Sequence, residues 1–183
     1  GVRDLTVRDC SFKDTDRGLR IKTRRGRGED SVVDKVSFEN IRMDGVLTPF
    51  VVNCFYFCDP DGRTDYVQNK AALPVDERTP EIRELRFQDI HAENAHYAAV
   101  CAYGLPERKI SHLLFENVSV SYAADVKPEI PAMMDGLPPM AKAGIFVKNV
   151  GRLTLKNVRI EGCAGEEIVA ENVDVIERDA RES

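Results

Sequence analysis

Residues 110–120 read "ISHLLFENVSV", and this pattern decides the fold because copies of it return along the chain. Its template is apolar-x-x-apolar-x-apolar-x-Asn/Asp-apolar-x-apolar, where x is any residue. The same template fits "VRDLTVRDCSF" (2–12), "VDKVSFENIRM" (33–43), "IRELRFQDIHA" (82–92) and "VGRLTLKNVRI" (150–160), and "IVAENVDV" (168–175) reads as a truncated copy. Self-similarity of this kind is the signature of a repeat architecture.

Each copy predicts two short strands that meet at a corner. Leu113 and Phe115 alternate with a period of two, which places both side chains on one face of a strand. Asn117 is followed directly by the apolar Val118, so the alternation breaks there, at a residue type that tolerates left-handed geometry. Two inward-facing strands joined by a sharp corner form one rung of a parallel β-helix, in which corner Asn side chains can stack as a hydrogen-bonded ladder.

Each predicted rung also contains a later apolar strand: "GLRIKT" (18–23), "PFVVNCFYF" (49–57), "YAAVCAYG" (97–104) and "AGIFVKN" (143–149). The full templates start at 2, 33, 82, 110 and 150, so they are 31, 49, 28 and 40 residues apart. A bare rung needs only about 20–30 residues, and we therefore expect long loops at about 58–81 and 121–143, which are rich in Pro, Gly and charge. A leucine-rich or helical repeat is excluded because no spacer has helical periodicity over ten residues. The predicted fold is all-β, a right-handed single-stranded parallel β-helix.

Composition narrows the function. The net charge of −5 argues against a general nucleic-acid-binding protein, and no apolar run is long enough to span a membrane. Three histidines and five scattered cysteines have no zinc spacing, so we expect neither a metal nor another cofactor. The odd number of cysteines predicts reduced, buried thiols, which favour a cytoplasmic location: Cys10, Cys54, Cys58, Cys101 and Cys163.

One short run concentrates positive charge in this acidic chain, "DRGLRIKTRRGRG" (16–28). Period-two alternation predicts that Leu19 and Ile21 face the core and that Arg20 and Lys22 stand together on the outside, with Cβ atoms about 6–7 Å apart. Two such cations repel each other unless an anion lies between them, which predicts an anion-binding site. The alternative is that this is an ordinary strand face exposed to solvent. The following "TRRGRG" turn can expose further arginines and backbone amides to carboxylates or phosphates.

Tyr56 belongs to the corresponding strand of the next rung. Periodicity does not decide which face of that strand is outward, so Tyr56 is either a core residue or a neighbour of Arg20 and Lys22 that can hydrogen-bond or stack on a ring.

Three other motifs receive structural interpretations. Asp14 and Asp16 have the spacing of a carboxylate pair, but with Lys13 and Arg17 beside them we interpret the segment as a charge-satisfied turn. The "DPDG" segment (59–62) lacks the later ligands of a calcium loop and is interpreted as a turn. We assign no catalytic role to the histidines, His91, His96 and His112.

With these features, the chain resembles glycoside hydrolase family 28, the polygalacturonases, and most closely the bacterial exo-acting type. The segments that carry the resemblance are "TDRGLRIKTRRGRG" (15–28), "FENIRMDGVLTPFVVNCFY" (38–56), "GLPE" (104–107) and "GIFVKNVGRLTLKNVRIEG" (144–162). The Arg-Ile-Lys run is a signature of that family. The resemblance implies that Arg20 and Lys22 bind a galacturonate carboxylate, that Tyr56 lines the same subsite, and that the protein hydrolyses α-1,4-linked galacturonan with inversion.

The chain also departs from the family pattern. The resemblance calls for an Asn-Thr-Asp motif, an Asp-Asp pair and a Gly-His-Gly motif upstream of Arg-Ile-Lys, and none is present. "DTD" (14–16) lies immediately before Arg-Ile-Lys, so it does not take that role. We therefore expect no catalytic residue in this chain and no hydrolase activity from residues 1–183 alone. Because the chain starts at Gly1 directly in an apolar pattern, we also expect residues 1–183 to be the carboxy-terminal part of one longer β-helix domain.

The expected partner is a galacturonate oligo- or polysaccharide. We expect the protein to bind neither nucleic acid nor a membrane, and its oligomeric state is not assigned. A non-catalytic β-helix module that binds acidic polysaccharide is the alternative. A pectate lyase of the same fold ranks last, because it would need a calcium-binding acidic cluster that the sequence lacks.

Overall fold

The computed structural model describes residues 1–179, which form a parallel β-helix, as the repeat predicts. The elements are β1 (Val2–Lys13), β2 (Arg17–Lys22), β3 (Val32–Asp44), β4 (Thr48–Asn53), α1 (Asp65–Gln68), β5 (Glu81–Ile82), β6 (Glu84–Ala95), β7 (Ala98–Tyr103), β8 (Ile110–Tyr122), β9 (Ala143–Glu161) and β10 (Ile168–Arg178). Among the described residues, no helix is long and apolar enough to cross a membrane.

The strands form two parallel stacks. The long-strand stack contains β1, β3, β6, β8 and residues 150–161 of β9, and the short-strand stack contains β2, β4, β7 and residues 143–149 of β9. The register confirms the template, because Val33 pairs with Val2 on one side and with Ile82 on the other. Ile110 likewise pairs with Val150. Equivalent template positions therefore form continuous columns along the solenoid.

An aromatic column fills the interior. The rings of Phe38 and Phe87 stack with centroids 5.4 Å apart, and those of Phe87 and Phe115 stack at 4.7 Å. Phe50 of the short-strand stack packs edge-on against Phe87 and Phe115 at 5.3 and 5.4 Å. Because these rings are buried, they join the two stacks into one core.

The template Asn/Asp positions are the predicted corners. All five have positive φ, between 49° and 58°, at Asp9, Asn40, Asp89, Asn117 and Asn157. Asn40 Nδ2 donates to Asp9 Oδ1 at 2.7 Å, Asn117 Nδ2 to Asp89 Oδ1 at 2.9 Å, and Asn157 Nδ2 to Asn117 Oδ1 at 3.0 Å. The ladder is interrupted between Asn40 and Asp89 within residues 1–179, since an ionised carboxylate has no proton to donate.

Two details of the sequence interpretation are wrong. The segment 168–175 is not a truncated template, because Ile168 pairs with Ile145 of the short-strand stack. Its Asn172 donates to Asn149 Oδ1 at 2.7 Å, and both residues have positive φ, so a second corner uses the same residue type. The predicted strand 49–57 also ends early, at Asn53.

The segments 54–80 and 123–142 carry most of the non-strand structure. Every residue of β4 and β7 is buried, on both faces of each strand. Both loops pack on these strands, since Phe55 lies edge-on against Tyr103 of β7 at 5.1 Å and Asn53 of β4 donates to the Met133 carbonyl. Apolar residues of 123–142 belong to the hydrophobic core cluster: Ala132, Met134, Leu137 and Met140. This segment therefore forms a wall that ends beside β2.

Candidate functional site

The outer face of β2 presents the two predicted cations. Leu19 is 3% exposed and belongs to the core, whereas Arg20 and Lys22 are exposed and Ile21 is half-buried. The predicted alternation of this strand is therefore confirmed. The burial pattern places both cations on the outside of one strand, two residues apart.

Tyr56 reaches the same place by leaving the strand. Asn53 Oδ1 accepts a hydrogen bond from the Phe55 amide at 2.8 Å, and this turn ends the period-two alternation. The Tyr56 amide then donates to the Thr23 carbonyl at 3.2 Å. As a result the Lys22 Nζ atom lies 3.8 Å from the centroid of the Tyr56 ring. Periodicity could not decide the side of Tyr56 because the residue is no longer in the strand.

Lys22 and Tyr56 line a pocket of about 310 Å³. The complete lining is Gly1, Val2, Lys22, Thr23, Arg27, Ser31, Val33 and Tyr56. The Thr23 hydroxyl is buried and has no hydrogen-bond partner among residues 1–179. The pocket therefore combines ammonium, guanidinium and hydroxyl groups with one aromatic ring, a set suited to a hydroxylated anion of the size of one sugar unit.

Arg20 lies against the loop wall rather than in the lining of this pocket. Its Nη1 atom is 3.4 Å from Met133 Sδ. The Met133 carbonyl accepts from Asn53 Nδ2 at 3.0 Å and from the Phe57 amide at 3.3 Å. These two bonds hold Met133 beside the outer face of β2, so the wall borders the candidate site at Arg20.

Arg17 fastens the same wall at the start of β2. Its Nη2 donates to the Ile130 carbonyl at 3.1 Å, and its guanidinium lies 5.9 Å from the centroid of the Tyr97 ring. Burial lowers the pKa of Arg17, although nearby Asp16 opposes that effect. Arg17 is therefore a structural member of the basic run.

Arg25 is not part of an exposed basic turn, as the sequence alone suggested. Its side chain is 1% exposed, and Nε and Nη2 form a bidentate pair with Glu107 at 2.6 and 2.8 Å. The remaining donors reach the carbonyls of Tyr66, Asn69 and Ala71 at 3.2, 2.6 and 3.2 Å. One buried guanidinium thus fixes the α1 region and the turn after β7 against the residues that follow Lys22.

Arg24 and Arg27 are also paired with carboxylates. Arg24 binds Asp59 at 2.8 Å and Asp61 at 2.7 Å, and Arg27 binds Asp59 at 2.5 Å. The hydrogen bond from Arg24 is the main reason that the pKa of Asp59 is lowered. The "DPDG" segment is a turn, as predicted, closed by the Gly62 amide on the Asp59 carbonyl at 2.9 Å. Its acidic residues hold the arginine turn in place.

Lys70 was missed by sequence reasoning because only the folded loop gives it a special environment. Its Nζ lies 4.1 Å from the centroid of the Phe55 ring and donates to the Gln68 carbonyl at 2.9 Å. Burial lowers the pKa of Lys70 to about 8, and the positive charges of Arg25 and Lys148 act in the same direction. Lys70 is thus a lysine of lowered pKa in the loop that also contains Tyr56, and it loses its proton more easily than an exposed lysine does.

The segment with Asp14 and Asp16 is a turn between β1 and β2. Both residues are exposed, and neither carboxylate forms an ion pair within residues 1–179. Asp14 has a φ of 50°, and Arg17 Nη1 donates to the Asp16 carbonyl at 2.8 Å rather than to its carboxylate. The turn is confirmed, but the charge pairing that we expected within it is not formed.

The histidines and cysteines are dispersed. His91 Nδ1 lies 2.5 Å from Ser119 Oγ, and His112 Nε2 lies 2.9 Å from Thr154 Oγ1. All five cysteines are free, as expected, but only Cys54 and Cys101 are buried. Cys10 and Cys163 are half-buried and Cys58 is exposed, contrary to the expectation of burial. No group of three or more His, Cys, Asp or Glu residues that could hold a metal ion occurs in the described part of the chain.

Comparison with known proteins places these features in a family. The model of "Glycosyl hydrolases family 28" matches residues 1–134. The chain is 28% identical to an exopolygalacturonase of Arabidopsis thaliana over 69% of its own length and 28% of that protein. It is 27% identical to a polygalacturonase of Prunus persica (67% and 28%) and 23% identical to an exopolygalacturonase of Zea mays (67% and 27%). The chain therefore spans less than a third of the length of these relatives. No solved structure matches it.

Proposed function

Because the chain belongs to glycosyl hydrolases family 28, we propose that it is part of a hydrolase that cleaves α-1,4-linked galacturonan with inversion. In this proposal Arg20, Lys22 and Tyr56 bind one galacturonate unit of the substrate. The general acid and general base lie outside residues 1–183, since the family's acidic motifs do not occur in this sequence.

One observation carries the assignment of the binding residues. Within the basic run, Arg24, Arg25 and Arg27 each bind a carboxylate of the protein at 2.5–2.8 Å. Arg20 and Lys22 are exposed and form no ion pair with any carboxylate among residues 1–179. Two adjacent cations without counter-ions favour an external anion, and every unit of galacturonan carries a carboxylate.

The arrangement suggests how one unit is held. Lys22 is a point charge fixed over the Tyr56 ring, whereas Arg20 offers a planar fork that can bind a carboxylate with two hydrogen bonds. Positioning of this kind favours hydrolysis when it fixes the sugar between a carboxylic acid, which protonates the leaving oxygen, and a carboxylate, which activates water on the opposite face. This chain contributes the positioning and the electrostatics of that reaction.

We also propose exo action, as the resemblance to the bacterial exo-acting type implies. An exo-acting enzyme releases short products of fixed size from one chain end, so the viscosity of polygalacturonate falls slowly while reducing ends accumulate. Rapid loss of viscosity at low conversion would contradict exo action without contradicting the hydrolase itself.

The test uses the intact protein with polygalacturonate. We expect release of reducing sugar and, by NMR, a first product of inverted anomeric configuration. Arg20→Gln and Lys22→Gln should each raise KM about tenfold or more, the size of one lost charge-assisted hydrogen bond. Arg83→Gln is the control, because Arg83 is also exposed but already pairs with Glu81 and does not line the pocket.

Two results would contradict the proposal. Unchanged kinetic constants for both Arg20→Gln and Lys22→Gln would exclude these residues as the substrate-binding residues. Binding of galacturonan without any hydrolysis by the intact protein would support the alternative, a non-catalytic module for acidic polysaccharide. The chain of residues 1–183 alone should release no galacturonate.

A further inference from the structure

A second groove lies on the long-strand stack, beside the corner ladder and separate from the pocket of Lys22. It consists of two adjoining cavities of about 240 and 300 Å³ that share Asn117 and Ser119. We call it the ladder groove; its lining is Asn40, Ile41, Arg42, Asp89, Ile90, His91, Asn117, Val118, Ser119, Asn157 and Arg159. The groove therefore crosses four consecutive strands, β3, β6, β8 and β9.

Strand register makes the polar lining periodic. Arg42 pairs with His91, His91 with Ser119, and Ser119 with Arg159, so the four side chains form one outward column. Neighbouring strands lie about 4.8 Å apart, which places Arg42 and Arg159 about 14 Å apart along the solenoid. The ladder residues Asn40, Asn117 and Asn157 run parallel to this column. A groove of this form suits a linear ligand with a short, regular repeat.

The charges in the lining are not equivalent. Both carboxylate oxygens of Asp89 already accept hydrogen bonds from the protein, one from Asn117 Nδ2 at 2.9 Å and the other from Gln88 Nε2 at 3.2 Å. The side chains of Arg42 and Arg159 are exposed and form no hydrogen bond or ion pair with another residue of the described chain. The cations that remain available therefore stand at the two ends of the groove, with hydroxyl, amide and imidazole groups between them.

We propose that the ladder groove is a second binding site, which holds an extended carboxylated oligosaccharide. Arg42 and Arg159 each bind a carboxylate of the ligand. Hydroxyls of the units between them bind the groups that the internal hydrogen bonds leave open: the Nε2 atom of His91, the Ser119 hydroxyl oxygen and the second N–H of each corner amide. The rung spacing is close to the length of one pyranose unit, so successive units can meet successive rungs. The carboxylate specificity rests on the two arginines and not on the proposed hydrolase function.

Two features favour an oligosaccharide over a nucleic acid. The lining contains no Phe, Tyr or Trp ring on which successive bases could stack, only the imidazole of His91, and the whole chain is acidic. The lining offers many hydrogen-bonding groups that are neutral, which match hydroxyls, and only a few charges that are widely spaced. A densely charged phosphate backbone would meet Asp89 within the groove, whereas spaced carboxylates need not.

The experiment measures binding in the intact protein with its first site disabled. In an Arg20→Gln/Lys22→Gln background, calorimetric titration with a defined galacturonate hexamer should reveal binding that Arg42→Gln/Arg159→Gln weakens about tenfold or more. Arg3→Gln/Arg8→Gln is the matched control, since both are exposed strand arginines that line neither cavity and remove the same charge. The fully methyl-esterified hexamer, which lacks the carboxylates, should not bind the groove.

The results separate this proposal from the hydrolase proposal. Loss of hexamer binding in the groove variant alone, with retention in the control, supports the site whether or not the protein hydrolyses galacturonan. Equal loss in both double variants, no loss in the groove variant, or equal binding of the methyl-esterified hexamer overturns it. A single-stranded oligonucleotide that binds the groove more tightly than the hexamer does also overturns it.

Discussion

The Lys22 ammonium lies 3.8 Å from the centre of the Tyr56 ring, although the two residues belong to consecutive rungs of the solenoid. A lysine without a carboxylate partner would otherwise sample many rotamers. The ring restricts it through a cation–π contact, which contributes about 0.5–2 kcal/mol. The contact therefore fixes the position of a positive charge without neutralising it, so the charge stays available to a substrate.

Replacing Tyr56 should consequently affect ligand binding more than folding. We expect Tyr56→Ala to weaken galacturonate binding about 3–30-fold, because the ammonium loses the ring that positions it. Tyr56→Phe keeps the ring and should retain most of the affinity, which a titration of both variants would measure. A Phe variant as weak as the Ala variant would mean that the hydroxyl, and not the ring, is the functional part.

Removing Arg25 should destabilise the loops that border the candidate site, because this buried guanidinium holds them together. Arg25→Met leaves the Glu107 carboxylate, 4% exposed, without its counter-ion, and leaves three loop carbonyls without a donor. We expect a loss of about 3–5 kcal/mol in the free energy of unfolding, measured by denaturant titration. The double variant Arg25→Met/Glu107→Leu should recover part of that loss, because it removes the buried charge. A double variant no more stable than the single one would show that the loop carbonyls account for the effect.

The corner ladder predicts an order of stability at Asn117. Asn117→Ala loses a hydrogen bond to Asp89 and one from Asn157, and it places an alanine at a φ of 53°. We expect a loss of about 2–4 kcal/mol for Ala and a smaller loss for Asn117→Gly, because glycine adopts this φ without strain. Thermal unfolding of the two variants would measure the difference. If Gly and Ala were equally destabilised, the backbone conformation would contribute nothing to the corner.

The sequence predicted most of the fold because the repeat encodes it directly. The spacing of apolar residues determined the register, so Val33 pairs with Val2 and Ile82 as the template requires. Asn172 was misassigned because both kinds of corner need a left-handed residue, and residue type alone does not tell them apart. The pattern identifies a corner, but only strand pairing identifies which one.

The candidate site was predicted less completely, since it depends on contacts between distant segments. Alternation along β2 was enough to place Arg20 and Lys22 outward. The burial of Arg25 depends on Glu107, which is 82 residues away, and no local pattern contains that pairing. Met133 reaches Arg20 across 113 residues for the same reason. Local periodicity therefore found the charges of the site but not the loops that enclose them.

Lys70 predicts a specific dependence of stability on pH. Its folded pKa is about 8, below the ordinary value of 10.5, because burial disfavours the charged form. Below pH 8 the lysine is protonated in both the folded and unfolded states, and burying its charge costs stability. Between about pH 8 and 10.5 the unfolded state binds more protons, so the stability of the native protein should rise with pH over this window. Lys70→Met should therefore stabilise the protein at pH 7, and this gain should fade as the pH rises through the window.

Lys156→Met is the matched control for this measurement, because Lys156 is exposed and forms no ion pair within residues 1–179. Urea titrations of the native protein and of both variants at pH 7, 8, 9 and 10 would separate the effect of Lys70 from general effects of alkaline pH. A stability difference between Lys70→Met and the native protein that stays constant over this range would show that the Lys70 ammonium is not destabilised by burial. In that case, the contact with the Phe55 ring at 4.1 Å and the bond to the Gln68 carbonyl would fully offset the desolvation of the ammonium.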